Sequence, residues 1–480
     1  MIDLVIRNGL VVTPDAEAVL DVGIAGEEIA FVSEPGRIDA EAPELDASGL
    51  IVTPGGVEPH AHIHEPMHRG WTHGKEVWLQ PPEGATRAAL HGGTTTVVSF
   101  AFMDVHVTDV EFDCNLAVAH RREVFEGRSY TDFAFHPVLT GTPTEATLAT
   151  VGEAAQDGTA TFKYFTTDLT TTQHGIRLDT GSIRELLEQC ARHGAVAMVH
   201  AEDDDLIKHM EAKLRREGRT ELRNVHLVHT NAGEELAVRA SGLLARDAGA
   251  ALYVAHVCSG RARDAIAEMR AAGQPVFGEA LHNCMCFSLD DYDRPDGAKY
   301  HIGMGLRPKE DCAALWDGLV DGRLSTLATD EYTTSYAVKM AGADIESTPG
   351  GHVGIETRGL IGFSEGVAKG RMSLRRFVDV FATNPARITG LYPRKGVVAA
   401  GSDADLVLWD PDARFTITLD ELHHDGDYSP WEGWEIAGRP VTTIMRGQVV
   451  VDRGRLVADR PDGRFVKRRV EPDVLSGPVV

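Results

Sequence analysis

Residues Ile51–His62 read I-V-T-P-G-G-V-E-P-H-A-H. The β-favouring run Ile51–Val57 leads into two histidines, His60 and His62, two positions apart. On a strand that spacing puts both side chains on one face, so the pair can grip one ion. Imidazole nitrogen suits zinc and similar borderline cations. H-x-H by itself is just as often a structural pair, so the reading depends on which residues end the other strands.

The same ending recurs downstream. The β-like run Thr159–Phe162 leads to Lys163, Ala195–Val199 to His200, Ala251–Ala255 to His256, and Leu324–Thr329 to Asp330. Between these runs lie helical patterns. Ile183, Leu186, Leu187 and Cys190 recur at helical spacing, Gly194 marks a turn, and residues 235–246 and 261–271 read as further helices. Repeated β-α alternation over about Val57–Leu391 predicts an α/β fold, a (β/α)8 TIM barrel with its crossovers outside. Active sites on that barrel lie at the C-terminal ends of the strands. Taken singly, each residue has a plainer reading: a strand-terminal histidine as a polar cap, Lys163 as a solvated side chain, Asp330 as a turn or helix cap. Six such residues in order, all at predicted strand ends, favour a metal centre. Lys163 is the odd member, since an ammonium repels cations. If it adds carbon dioxide it becomes a carbamate, whose two oxygens can bridge two ions. Asp330 can bind a metal and also take a proton from a bridging water.

Outward from the barrel, both ends of the chain turn β-like. Residues 2–7 and 10–12 read as strands around the turn signal Asn8-Gly9, followed by 20–25, 28–32 and 50–53. After Gly396 come 405–409, 415–418, 441–445 and 448–451. These predict a small β-sandwich domain built from both termini. The expected division is 1–56 for the first part of that domain, 57–395 for the barrel, 396–452 for its second part, and 453–480 for a tail that either wraps a neighbouring subunit or is mobile.

Bulk composition excludes several functions. A formal net charge of -25 argues against nucleic acid as a partner, because phosphate binding wants clustered Lys and Arg. With 43% hydrophobic residues there is ample material for a core. The six cysteines are scattered, so reduced thiols and a cytoplasmic location are expected. The N-terminus has no leader-like pattern, and no apolar run is long enough to span a bilayer.

The chain resembles the dihydropyrimidinase/hydantoinase branch of the amidohydrolases over nearly its whole length. The resemblance rests on Pro54–His62, Phe162-Lys163, Val199-His200-Ala201-Glu202, Ala255-His256-Val257, Leu306-Arg307-Pro308, Thr329-Asp330 and Asn384-Pro385-Ala386-Arg387. Most specific are the run from Gly390-Leu391-Tyr392-Pro393-Arg394-Lys395-Gly396 to Gly401-Ser402-Asp403-Ala404-Asp405, and Glu432-Gly433-Trp434. It implies hydrolysis of a cyclic amide by a site of two divalent ions, Zn2+ in the family, bridged by a carboxylated lysine. Carried over position by position, the ligands are His60, His62, Lys163, His200, His256 and Asp330. It also implies a homotetramer, with a homodimer as the alternative.

The departures concern substrate. Hydantoinases carry an oxyanion-steadying tyrosine five residues after the bridging lysine, where this chain has Asp168. Their serine before Pro-Pro-Leu-Arg is Gly303 here, and their Pro-Asn-Gly asparagine is Gly350. Ile63-His64-Glu65-Pro66 is similar to dihydroorotases and allantoinases, which have Arg or Asn where His64 stands. His64 is either a substrate contact or a structural residue. Glu331 replaces the histidine that commonly follows the aspartate, and either alters the pocket charge or points away. The expectation is a hydrolase of a cyclic ureide, imide or lactam with diverged specificity. An allantoinase- or dihydroorotase-type reaction, or a deamination, is the alternative. A non-catalytic oligomeric scaffold is disfavoured, because all six ligand positions hold competent residues.

Overall fold

The computed structural model describes residues 1–480 except 38–40, 68–70, 73, 103–111 and 169–174. The N-terminal strands are β1 (Leu4–Val12), β2 (Glu17–Ala25), β3 (Glu28–Ser33), β4 (Glu44–Asp46) and β5 (Ile51–Pro54). The barrel strands are β6 (Gly56–Ala61), β7 (Thr94–Ala101), β8 (Asp132–Pro137), β9 (Thr161–Phe165), β10 (Val196–His200), β11 (Ala251–Val257), β12 (Val276–Leu281) and β13 (Thr326–Ala328). The C-terminal strands are β14 (Leu406–Thr416), β15 (Glu435–Met445), β16 (Gln448–Asp452) and β17 (Arg455–Leu456).

Strands β6–β8 pair in parallel, as do β9–β13. Two parallel bridges join these sheets, Val138 to Lys163 and Ala61 to Glu331, and close the barrel. One unit shows why the chain folds this way. Asp179 caps the helix Thr180–His193 by accepting from the Ser182 amide. The helix buries the stripe Ile183, Leu186, Leu187 and Cys190, and Gly194 ends it at φ 69. The chain then enters β10, whose Val196 lies level with Thr161 on one side and Ala251 on the other.

The terminal strands form one nine-stranded sheet in which β5 pairs antiparallel with β14, so the two ends of the chain meet in its middle. Its core joins Ile6, Val22 and Ile29 from the first end to Leu406, Leu408 and Ile444 from the second. Two expectations need correction here. Asn8-Gly9 is no hairpin turn. It is an irregularity within the single strand β1, with Asn8 at φ 60 and a register shift between Ile6 and Gly9. Likewise the expected strands 405–409 and 415–418 merge into one strand, β14 (Leu406–Thr416), irregular between Asp410 and Arg414.

The tail packs on its own barrel. Phe465 bridges to Phe133 of β8, and the buried Arg468 donates to the Thr161 hydroxyl (2.9 Å), the Thr389 carbonyl (3.1 Å) and the Phe135 carbonyl. Thr161 begins β9 and Asp132 begins β8, so the tail and the β14–β15 sheet meet the barrel at its N-terminal face. There Lys395 is buried among Asp132 (2.6 Å), Asp403 (2.8 Å) and Asp405 (2.8 Å). All six cysteines are free, and no helix among the described residues is long and apolar enough to cross a membrane.

Candidate metal centre

At the opposite end of the barrel the side chains named from the sequence converge. His60 is the next-to-last residue of β6, and His62 lies just past its end with its amide bonded to the Glu331 carbonyl (2.8 Å). Both histidines direct Nε2 at one oxygen, Asp330 Oδ1, at 3.1 Å and 3.4 Å. These three residues have ligand atoms mutually within 4.8 Å. The second group lies beside them. The His256 ring is 5.4 Å from that of His60 and 4.5 Å from that of His200. Lys163 Nζ sits over Phe100 at 5.4 Å and over Phe165 at 5.2 Å, and those rings also flank His60, His62 and His200. Lys163 lies inside β9, not past its end as the sequence suggested, which is why it is 1% exposed.

The backbone is strained at two of the candidate ligands, near the ends of β11 and β13. His256 has φ 36 and Asp330 φ 51, a left-handed conformation that non-glycine residues rarely adopt.

Behind the rings of His60, His62 and His200 stand carboxylates that sequence reasoning did not single out as functional. Glu279 on β12 takes His60 Nδ1 at 2.7 Å, the Tyr253 hydroxyl at 2.6 Å and the His256 amide at 2.8 Å. Glu65 takes His62 Nδ1 at 2.8 Å, and Glu202 takes both His200 Nε2 and His229 Nδ1 at 2.9 Å. A carboxylate on the far ring nitrogen fixes the tautomer and aims the other nitrogen, as around metal-ligating histidines. The legible signal for Glu279 was an acidic residue inside the apolar run Val276–Leu281.

Electrostatics agrees with this geometry. Burial opposes an imidazolium at His60, but Glu279 and Asp330 outweigh it and raise the pKa to about 9. At His62 burial is likewise outweighed, by Glu65 and Asp330. Burial would raise the Asp330 pKa, yet His60 and His62 hold it well below the usual carboxylate range. The pocket between these three side chains therefore favours positive charge. His200 and His256 are both pushed down, by burial first, which favours the neutral form that binding a metal would require. Burial lowers Lys163 to about 8 although Glu279 and Asp330 pull the other way. Only the unprotonated amine adds carbon dioxide. The donor set thus fits divalent cations: two imidazoles biased to the neutral form, two whose extra proton a cation between them and Asp330 would displace, a carboxylate, and an amine able to become an anion.

Comparison with known proteins agrees. The profile of the Amidohydrolase family matches residues 51–450. The chain belongs to the amidohydrolase family. This amidohydrolase is 33% identical to a D-hydantoinase of Rhizobium radiobacter over 472 residues, 97% of this chain and 99% of the other. It is 33% identical to an Escherichia coli D-phenylhydantoinase over 97% of this chain and 98% of that one. The crystal structure of dihydropyrimidinase from Brevibacillus agri matches with TM-score 0.91 at 31% identity, covering 98% of this chain and 100% of that chain.

The four positions singled out for substrate are arranged as follows in this amidohydrolase. His64, at φ 51, lies with its ring tilted against Trp78 (5.1 Å), and burial with Arg128 and Arg121 nearby lowers its pKa. Asp168 accepts from the Ile176 (3.1 Å) and Arg177 (3.0 Å) amides and pairs with Lys208 (3.1 Å), so its carboxylate is already engaged. Gly350 packs onto Gly303: a Cβ on Gly350 would fall 2.6 Å from the Gly303 nitrogen and 2.7 Å from its Cα, whereas a Cβ on Gly303 meets nothing within 4 Å. The buried Lys339 fastens both segments, donating to the His301 carbonyl (2.7 Å) and the Pro349 carbonyl (2.7 Å). Glu331 points away from the ligands. Its carboxylate accepts from Gln80 (2.8 Å), Thr333 and the Gly354 and Ile355 amides (both 2.7 Å), and burial raises its pKa to about 7.

Proposed function

We propose that this amidohydrolase opens a cyclic amide, whether ureide, imide or lactam, by metal-assisted hydrolysis, with a specificity diverged from ordinary hydantoinases. The observation that carries the reading is the convergence of His60 Nε2 and His62 Nε2 on Asp330 Oδ1 beside the His200–His256 pair. His60, His62 and Asp330 would hold one ion, and His200 and His256 the other. Lys163, as a carbamate derived from carbon dioxide, would serve both. Zn2+ is the ion this imidazole and carboxylate set suits best. Two such ions supply an acidified water and a polarised carbonyl.

The chain's own residues do the rest. Asp330 accepts the proton of the attacking water as oxygen adds to the ring carbonyl, then returns it to the nitrogen as the C–N bond breaks. Glu279, Glu65 and Glu202 hold the imidazoles in the tautomer and rotation this requires. The aromatic rings of Phe100 and Phe165 limit water around Lys163.

Divergence is supported by the three substitutions. Asp168 is engaged within its loop, and Gly303 and Gly350 offer no side chain. Ring-opening is tested with protein loaded with zinc and bicarbonate, against hydantoins, dihydropyrimidines, allantoin, dihydroorotate, cyclic imides and larger lactams. Turnover of another ring with silence on hydantoin and dihydrouracil is the expected result. Rapid turnover of those two would overturn the divergence, and silence on every ring would overturn the function. The finer readings of a homotetramer and of a cytoplasmic location belong to the same proposal. The first is supported by the close likeness to hydantoinases, the second by six free thiols.

A further inference from the structure

We infer that Tyr332 is the residue that hydrogen-bonds the carbonyl oxygen of the substrate as negative charge develops on it, a role Asp168 cannot fill. The inference rests on the ring-opening reading above. An ionised carboxylate has no proton to donate, and Asp168 is already bound to two amides and Lys208. The opened C–N bond still needs a donor beside the metal centre that acts mainly in the transition state.

Tyr332 is placed for it by strand geometry. Past β13, successive side chains alternate: Asp330 reaches His60 and His62, and Glu331 turns the other way to Gln80, Gly354 and Ile355. Tyr332 returns to the Asp330 side. Its ring stands edge-on to His62 at 5.6 Å and to Trp71 at 6.2 Å, and it is half-buried. The backbone holds it there, its amide donating to the His352 carbonyl at 3.1 Å. Gly351, at φ 83, lies directly beneath: a Cβ there would fall 2.4 Å from Tyr332 Cβ, so the glycine makes room for the ring. The hydroxyl keeps its proton throughout. Water's proton travels by Asp330 to the nitrogen, and Tyr332 only donates a hydrogen bond.

The test compares wild type and Tyr332→Phe, both loaded with zinc and bicarbonate, on whichever ring of the panel wild type opens. Phenylalanine keeps the aromatic wall and removes only the hydroxyl. Expected are a fall in kcat of about 10²–10³-fold, as for loss of one oxyanion donor, KM within about threefold, and unchanged metal content. Affinity for a cyclic phosphonamidate analogue of the same ring, measured calorimetrically, should fall in parallel with kcat/KM, while the intact ring binds Asp330→Asn protein equally well with or without the hydroxyl. If Tyr332→Phe turns over like wild type and only Tyr332→Ala raises KM, the residue is a packing surface and the inference fails alone. If wild type opens no ring, the ring-opening reading fails and takes this role with it.

Discussion

Asp330 has two imidazole partners and, in the proposed reaction, two tasks. Its Oδ1 lies between two imidazoles at 3.1 Å and 3.4 Å, and those imidazoles hold its pKa well below the usual range. A carboxylate so biased to ionise can accept a proton only transiently, which suits a group that takes one from water and passes it on. Replacing Asp330 with Asn keeps the shape and an oxygen donor but removes the base. Turnover should drop by about 10³-fold or more, while metal analysis still finds ions on the protein. Near-normal turnover in that variant would remove Asp330 from the proton path. The carboxylates behind the histidines show what single residues hide in a sequence. Glu65, Glu202 and Glu279 are separated from one another by long stretches of chain, and only folding reveals that each ends on an imidazole. His60, His62, Lys163, His200, His256 and Asp330 were legible because a parallel barrel presents strand ends to one face. The acidic residue inside Val276–Leu281 marks Glu279 as buried and partnered, but nothing local distinguishes a supporting carboxylate from a buried ion pair, or, at Tyr332, a lining tyrosine from core.

At the scale of elements, the two segments 301–303 and 349–351 behave as one. Gly350 rests on the Gly303 backbone, and Lys339 binds carbonyls of both. The contact is asymmetric, and so is the expectation. Gly303→Ser projects into open space and should leave kcat/KM within about threefold. Gly350→Ala drives a Cβ into backbone and must part the segments, a displacement of the order that costs about 10²-fold in kcat/KM. Steady-state kinetics on both variants decides it, and equal tolerance of the two would contradict the packing. In the sequence both glycines read as lost side chains. That one of them is a close-packing requirement is not legible there, since it depends on a partner 47 positions away across the mouth. The β-strand register shows the same limit. Asn8-Gly9 carries the composition of a hairpin turn, yet β1 runs through it because pairing with β2 and β5 on either side outweighs local preference.

For the whole molecule, the joint between barrel and terminal sheet is electrostatic as well as apolar. Lys395 is 1% exposed among three aspartates, Asp132 from the barrel and Asp403 and Asp405 from the segment leading into β14. This explains why the run Gly390–Asp405 is so recognisable: it carries the cation, its turn and two of its counter-charges. Lys395→Met leaves the buried Asp405 without its cation, while Asp132 keeps Arg446 and Asp403 keeps Arg394, and removal of one partner of a buried ion pair costs about 3–5 kcal/mol. Calorimetric melting should show a drop of several degrees with the metal centre's ligands untouched. An unchanged melting temperature would mean that the joint does not depend on this charge.

The measurement that bears most directly on the proposed metal chemistry is the metal content of purified protein prepared with zinc and bicarbonate, wild type beside Lys163→Ala, by mass spectrometry of the metals. Two divalent ions per chain in wild type, falling to one or none in the variant, is the expected result. One ion or none in wild type, or a content indifferent to loss of Lys163, would contradict a pair of ions joined through that lysine.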